Sequence, residues 1–345
     1  MFSFLFAVGF TIQLARLEAV DPATARGIYL RRILILLALG LTHAFVFWFG
    51  DVLHIYAVLG LLLLVGLRRL RDRTLVALMA ACIVIPTLGG IVLKYTLSPE
   101  FFKHLIATAK AFEASDNLAF GRGSFADARR ETTRIMVYSY TDPMSLWGLT
   151  RFYLEMTTTL LLGLIAGRHQ WLQRVGPNLG WIRRAQLIAL VVGLLAGGVF
   201  LVSDLNYDPT QISALRLAGG LCYRLCRLSL MIFYVTSIVR AAQIPAWRRR
   251  LRPVALAGRM PLTNYLLQTA MGLCIFDAWG LGLWNQVGPL AQLVLAVVLY
   301  TVIQLPLSSW WFARFRYGPL EYLWRAATYG RLPRMRAAEA QAAAA

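Results

Sequence analysis

Long apolar runs separated by short arginine clusters constrain this 345-residue chain more than any motif in it. The clusters are Arg16/Arg26/Arg31/Arg32, Arg68/Arg69/Arg71/Arg73, Arg168/Arg174/Arg183/Arg184, Arg240/Arg248/Arg249/Arg250/Arg252 and a tail from Arg314 to Arg336. Alternate connections such as 204–208 and 277–289 hold no Lys or Arg. A soluble chain with 59% hydrophobic residues and a formal net charge of +19 would spread that charge over its surface. Gathering it at alternate loops is the positive-inside pattern. The expected fold class is all-α, a polytopic transmembrane helix bundle with an amphipathic extracytoplasmic helical loop.

The apolar runs are 1–15, 33–49, 52–67, 74–93, 146–166, 185–203, 212–239, 254–276 and 290–311, which predicts about nine spans. Basic loops at 16–32 and 68–73 lie on one side, the cytoplasm, with the Gly50-Asp51 turn opposite. Continuing the alternation puts the C-terminus in the cytoplasm of a bacterial inner membrane and the N-terminus of this chain outside. Met1–Leu14 lacks a basic leading flank and a small-residue cleavage site, so it reads as a span and not as a signal peptide. Run 212–239 is either one tilted helix or a helix broken at Gly219-Gly220.

The domain reading follows: 1–93 an N-terminal transmembrane part containing the 33–67 hairpin, 94–144 an extracytoplasmic loop, 145–330 a C-terminal transmembrane part, and 331–345 a basic, alanine-rich disordered tail. In the loop, Ser98-Pro99-Glu100 predicts a helix start, Gly121-Arg122-Gly123 a break, and Ser124-Phe125-Ala126-Asp127 a capping box opening a helix through Tyr140. Arg122, Arg129, Arg130 and Arg134 there form either a solvated face or a grip on an anionic headgroup.

The basic residues flank apolar spans and form no stripe interleaved with aromatics. Membrane lipids are therefore the expected partner, and nucleic acid is excluded. The four cysteines, Cys82, Cys222, Cys226 and Cys274, all lie in apolar runs and predict neither a disulfide framework nor a metal site. Acyl-hydrolase, zincin, Walker and dinucleotide fingerprints do not occur in the sequence.

Ionisable groups inside spans are costly and mark candidate sites. His43, Asp51 and His54 flank the hairpin turn, where a histidine beside a carboxylate can act as general base or proton relay. The plain alternative is that Asp51 caps the second helix. Arg151 and Glu155 share a helix face at i, i+4, as a structural ion pair or a substrate site. Arg224, with Arg227 and Arg216 near it, snorkels if the helix breaks at Gly219-Gly220; if the helix is continuous it needs an anionic partner, Glu155 or a phosphate-bearing ligand. Arg259, Asn264, Tyr265 and Gln268 open the eighth span. There the amides serve as interhelical glue or contact a ligand. Substrate-binding candidates are thus Arg151, Glu155, Arg224, Arg259 and Asn264.

Several of these residues also carry a resemblance. Gly258-Arg259-Met260-Pro261-Leu262-Thr263-Asn264-Tyr265-Leu266-Leu267-Gln268 and Phe315-Arg316-Tyr317-Gly318-Pro319-Leu320-Glu321-Tyr322-Leu323-Trp324-Arg325 resemble the signature of the YeiB-like family, domain of unknown function 418. Arg31-Arg32, Gly40, His43, Gly50-Asp51-Val52-Leu53, Tyr56–Gly60 and Gly123-Ser124-Phe125 agree with it. The resemblance implies a bacterial inner-membrane protein, a leading helix ahead of the segment that begins here, and similarity to membrane acyltransferases. It implies acyl-CoA as donor and an anionic, glycan or lipid substrate; it implies no certain cofactor. Three functions are carried forward: acyl transfer with His43 or His54 as base; transport or lipid handling without covalent chemistry; and a structural or accessory subunit.

Overall fold

The computed structural model describes residues 1–206 and 214–336. Residues 207–208 of the expected outer loop, the first residues of run 212–239, and the tail 337–345 lie outside the described residues. In chain order the helices are α1 (Phe2–Val20), α2 (Pro22–Val46), α3 (Leu53–Val65), α4 (Asp72–Thr96), α5 (Pro99–Ala119), α6 (Phe125–Thr141), α7 (Pro143–Arg168), α8 (Val175–Leu205), α9 (Ala214–Ala241), α10 (Pro245–Arg250), α11 (Arg252–Ala257), α12 (Pro261–Phe276), α13 (Pro289–Val298), α14 (Leu305–Phe312) and α15 (Pro319–Tyr329). Among the described residues no strand forms, apart from an isolated bridge between Phe315 and Arg336.

Local chemistry explains several boundaries. Ser124 Oγ accepts the Asp127 amide at 3.2 Å and Asp127 Oδ2 accepts the Ser124 amide at 3.0 Å, the expected capping box of α6. Proline in the first turn opens α12, α13 and α15, where its missing N–H costs nothing. Between α13 and α14 the helix widens into a π turn at Leu299–Gln304. Pro306 follows directly; its ring crowds the carbonyl four residues back and removes one ladder hydrogen bond. α9 runs unbroken through Gly219-Gly220, so the snorkelling alternative for Arg224 falls away.

Among the described residues, six helical stretches are long and apolar enough to cross a membrane: 2–20, 22–46, 72–90, 175–205, 214–241 and 289–312. They coincide with six of the expected runs. α3, with 13 residues, and α12, with 16, are shorter than the ~30 Å hydrocarbon core requires at 1.5 Å per residue. α7 is long enough but carries Arg151, Glu155 and Arg168.

Contacts divide the chain into two compact units, each drawn from separate stretches of sequence. The first comprises residues 1–26, 59–98 and 143–248. Phe4 and Val8 of α1, Ala166 of α7, and Met231 and Val235 of α9 form a buried cluster there. A Cβ at Gly163 or Gly167 of α7 would collide with the Phe4 carbonyl or the Thr11 hydroxyl, so both glycines let α1 and α7 approach closely. The second unit comprises residues 27–58, 99–142 and 249–345.

Candidate functional site

The second unit holds a buried cluster around one carboxylate. α2 ends just past His43, the chain turns through Gly50-Asp51, and His54 lies in the first turn of α3. His43, Asp51 and His54 are 3%, 2% and 5% exposed. Asp51 Oδ1 accepts from His43 Nδ1 at 2.8 Å and from the Tyr265 hydroxyl at 3.1 Å. Its Oδ2 accepts from His54 Nδ1 at 2.7 Å and from the His54 amide at 3.0 Å. Asp51 therefore caps α3, the plain alternative, and bonds both rings at once. Gly40 makes the packing possible, since a Cβ there would strike the His54 backbone nitrogen.

Burial pushes the Asp51 carboxyl up, but the hydrogen bonds from His43, His54 and the His54 amide outweigh it and hold the group well below the usual carboxylate range. An ionised Asp51 keeps the proton of each imidazole on Nδ1 and leaves each Nε2 as acceptor. His43 Nε2 lies 3.0 Å from Thr269 Oγ1, and His54 Nε2 lies 2.7 Å from Tyr140 Oη.

Beside this cluster is a cavity of about 550 Å³. Tyr265, Gln268, Thr269 and Gly272 of α12 form one wall, and Gly50 and Val52 another. Trp48, Trp284, Asn285 and Asp277 also line it, a mixture of indole faces, an amide and a carboxyl. The Asp51–His43 pair thus stands behind the wall that Tyr265 and Thr269 present. At its rim Arg129 of α6 donates to Asp277 Oδ2 at 2.8 Å, to the Val46 carbonyl at 3.0 Å and to the Phe47 carbonyl. Burial pushes the Asp277 carboxyl up, against the Trp279 indole and Arg129.

Of the remaining sequence candidates, Gln268 lines the cavity and the others fall elsewhere. Asn264 donates to the Ala257 carbonyl at 3.0 Å and to Ser308 Oγ at 3.3 Å, joining α12 to α14. Arg259 stacks 4.2 Å over the Phe312 ring and donates to the Arg316 carbonyl. Glu321 accepts the Leu262 and Thr263 amides at 2.7 and 3.1 Å, so the second motif segment caps the helix that the first one opens. Gln268 donates to Gln304 Oε1 at 2.8 Å.

In the first unit Glu155 is held not by Arg151 but by α9: Arg227 at 2.6 Å and Arg224 at 3.7 Å. The unbroken α9 thus supplies the anionic partner expected for Arg224 in a continuous helix, and Arg227 joins it. Of the loop arginines, Arg129, Arg130 and Arg134 pair with Asp277, Asp127 and Glu131; the Arg129 side chain is largely buried, whereas Arg130 and Arg134 remain on a solvated face.

Residues 166–331 match the model of a protein family described as protein of unknown function (DUF418). This segment belongs to the DUF418 family. It supplies Tyr265, Thr269 and Asp277, while His43, Asp51, His54 and Tyr140 precede it. The chain is 29% identical over 333 residues to uncharacterized protein YxaH of Bacillus subtilis (strain 168), covering 95% of this chain and 78% of that protein. It is 29% identical over 336 residues to an uncharacterized 39.9 kDa protein in the amylase 3' region of Bacillus acidopullulyticus, covering 96% and 79%. A shorter stretch of 79 residues is 40% identical to uncharacterized protein YeiB of Escherichia coli (strain K12), covering 22% and 19%. No solved structure matches.

Sequence reasoning found the three residues of the cluster but missed Thr269 and Tyr140. Thr269 had a signal available: it lies one turn after Tyr265, on the same face of α12. Tyr140 had none, because an exposed tyrosine on an amphipathic helix reads as surface.

Proposed function

We propose that this protein is a membrane-embedded acyltransferase-like enzyme. It transfers an acyl group, with acyl-CoA as the donor class, to a hydroxyl of a glycan or lipid on the extracytoplasmic side of a bacterial inner membrane. The supporting observation is the line from Asp51 through His43 to the wall of the cavity. In this reading Asp51 fixes the tautomer and stabilises the imidazolium that forms, and His43 is the general base. His54 shares the carboxylate and is positioned by Tyr140. The indoles and the amide of the cavity suit a sugar face and its hydroxyls.

Purified protein incubated with labelled acetyl-CoA and candidate glycan or lipid acceptors should release labelled ester product. A His43→Ala/His54→Ala double variant that melts like wild type should lose that product. Undiminished transfer by the double variant would remove the histidines from the chemistry and sink the reading.

A further inference from the structure

His43 itself does not line the cavity; Thr269 does. The ring is 3% exposed, and Thr269 Oγ1 stands 3.0 Å from its Nε2. With Nδ1–H committed to Asp51 at 2.8 Å, Nε2 carries the free lone pair and receives the threonine proton. The other contact of that hydroxyl, the Tyr265 carbonyl, is longer at 3.4 Å. Any substrate hydroxyl meant for His43 would first have to displace Thr269. In the arrangement observed, the proton the base is set to remove is the threonine's own. A hydroxyl on a cavity wall, bonded to an imidazole that a buried carboxylate orients, is the geometry of an activated nucleophile. There is also room beside it. Gly272, three residues on and also lining the cavity, would meet no atom within 4 Å if it carried a Cβ.

We propose that Thr269 is the nucleophile that carries the acyl group between donor and acceptor. This rests on the acyl-transfer reading and specifies its course. Thr269 Oγ1 attacks the thioester carbonyl carbon while His43 Nε2 takes the hydroxyl proton. The tetrahedral adduct collapses with breakage of the C–S bond, and His43 returns the proton to the departing thiolate. Thr269 is left as an ester. An acceptor hydroxyl then attacks that ester carbonyl and gives its proton to His43. The bond from the acyl carbon to Thr269 Oγ1 breaks, and His43 re-protonates the threonine. Both half-reactions are balanced and require no further reactant.

The full chain in detergent is incubated with acetyl-CoA or with p-nitrophenyl acetate, quenched in acid and mapped by peptide mass spectrometry. The expected result is acetyl on the α12 peptide at Thr269. The adduct is absent in Thr269→Val and His43→Gln, and it is retained in Thr269→Ser. Turnover in Thr269→Val should fall at least ~10²-fold, and serine should restore a substantial part of it. Product formation without a Thr269 adduct, or undiminished turnover in Thr269→Val, overturns the covalent course and leaves acyl transfer standing. A wild-type protein that yields neither product nor adduct with either donor overturns the transfer reading and this proposal together. Mapping the wild-type adduct needs no variant, so misfolding of a substituted chain does not shelter the proposal.

Discussion

Each unit contains a carboxylate that bridges two nitrogen bases, and the two carboxylates are built for different work. Asp51 binds two imidazoles, is 2% exposed and lies next to a cavity. Glu155 binds two guanidinium groups, one buried at Arg224 and one half-exposed at Arg227, among apolar helices. Imidazole changes its charge within the physiological range, and guanidinium does not. The first arrangement can pass a proton to and from a substrate. The second neutralises charge that would otherwise stand alone between α7 and α9. A buried ion pair is thus weak evidence of chemistry by itself. A carboxylate shared by titratable rings and backed onto a cavity is stronger evidence.

The largest effect expected is at Asp51. Asn offers one acceptor and one donor where two Nδ1–H groups need acceptors, so whichever ring faces the amide NH₂ must flip its tautomer. A flipped His43 would present Nε2–H to Thr269 and cease to be a base. Transfer by Asp51→Asn should fall about 10³–10⁴-fold, the loss typical of a mis-set tautomer, with a modest loss of melting temperature. Glu155→Gln should show the reverse profile. It leaves Arg224 buried without its counter-charge, costing about 2–3 kcal/mol of stability, while transfer per folded molecule stays near wild type. Thermal melts and initial rates on both variants test the contrast. Loss of transfer by a fully folded Glu155→Gln protein would break it, and loss of uptake in proteoliposomes would move the function toward transport.

What the sequence made legible follows from which residues act alone and which act through partners. Arginine clusters and apolar runs are local, so membrane class and the six long apolar stretches could be read directly. α3 falls within its expected run 52–67, whereas α12 starts later than run 254–276 because the chain breaks between α11 and Pro261, a break that hydropathy does not register. His43, Asp51 and His54 were legible because a histidine in an apolar run is conspicuous. Thr269 was not, because threonine is unremarkable on a helix until a third element aims a base at it. For Glu155 the sequence offered two partners, Arg151 on its own helix and Arg224 on a continuous α9, and the ion pairs are made to Arg224 and Arg227. The i, i+4 rule describes one helix, whereas the ion pair is made across two.

Tyr140→Phe sharpens the division of labour between the two histidines. It leaves His54 Nε2 without its hydroxyl partner, a loss of about 1 kcal/mol in orientation and roughly 5-fold in transfer if His43 is the base. A loss as deep as that of Asp51→Asn would transfer the base role to His54 and with it the reacting end of the cluster.

The smallest effect separates the α5–α6 pair from both carboxylate centres. Asp116 of α5 faces Glu131 of α6, with Arg134 bonded to Glu131. Burial, the hydrogen bond to Glu131 and repulsion from its charge push Asp116 up to about 6. Burial acts on Glu131 too, but bonds from Arg134, Asp116 and Ser115 hold it lower. A carboxyl whose folded value lies above its unfolded value of 3.8 binds more protons folded than unfolded across that interval. Stability therefore declines as pH rises from about 4 to about 6. The contribution of Glu131 has the opposite sign, being lost as pH falls below its unfolded value of 4.5, and so overlaps only the acid end of this window. Asp116→Asn removes the dependence. Because the carboxyl is only half-buried, the gain at neutral pH is about 0.5–1 kcal/mol and vanishes near pH 4. Melting curves of both proteins between pH 4 and pH 7.5 should converge at the acid end. A constant offset across the range would show that the two carboxyls do not share a proton.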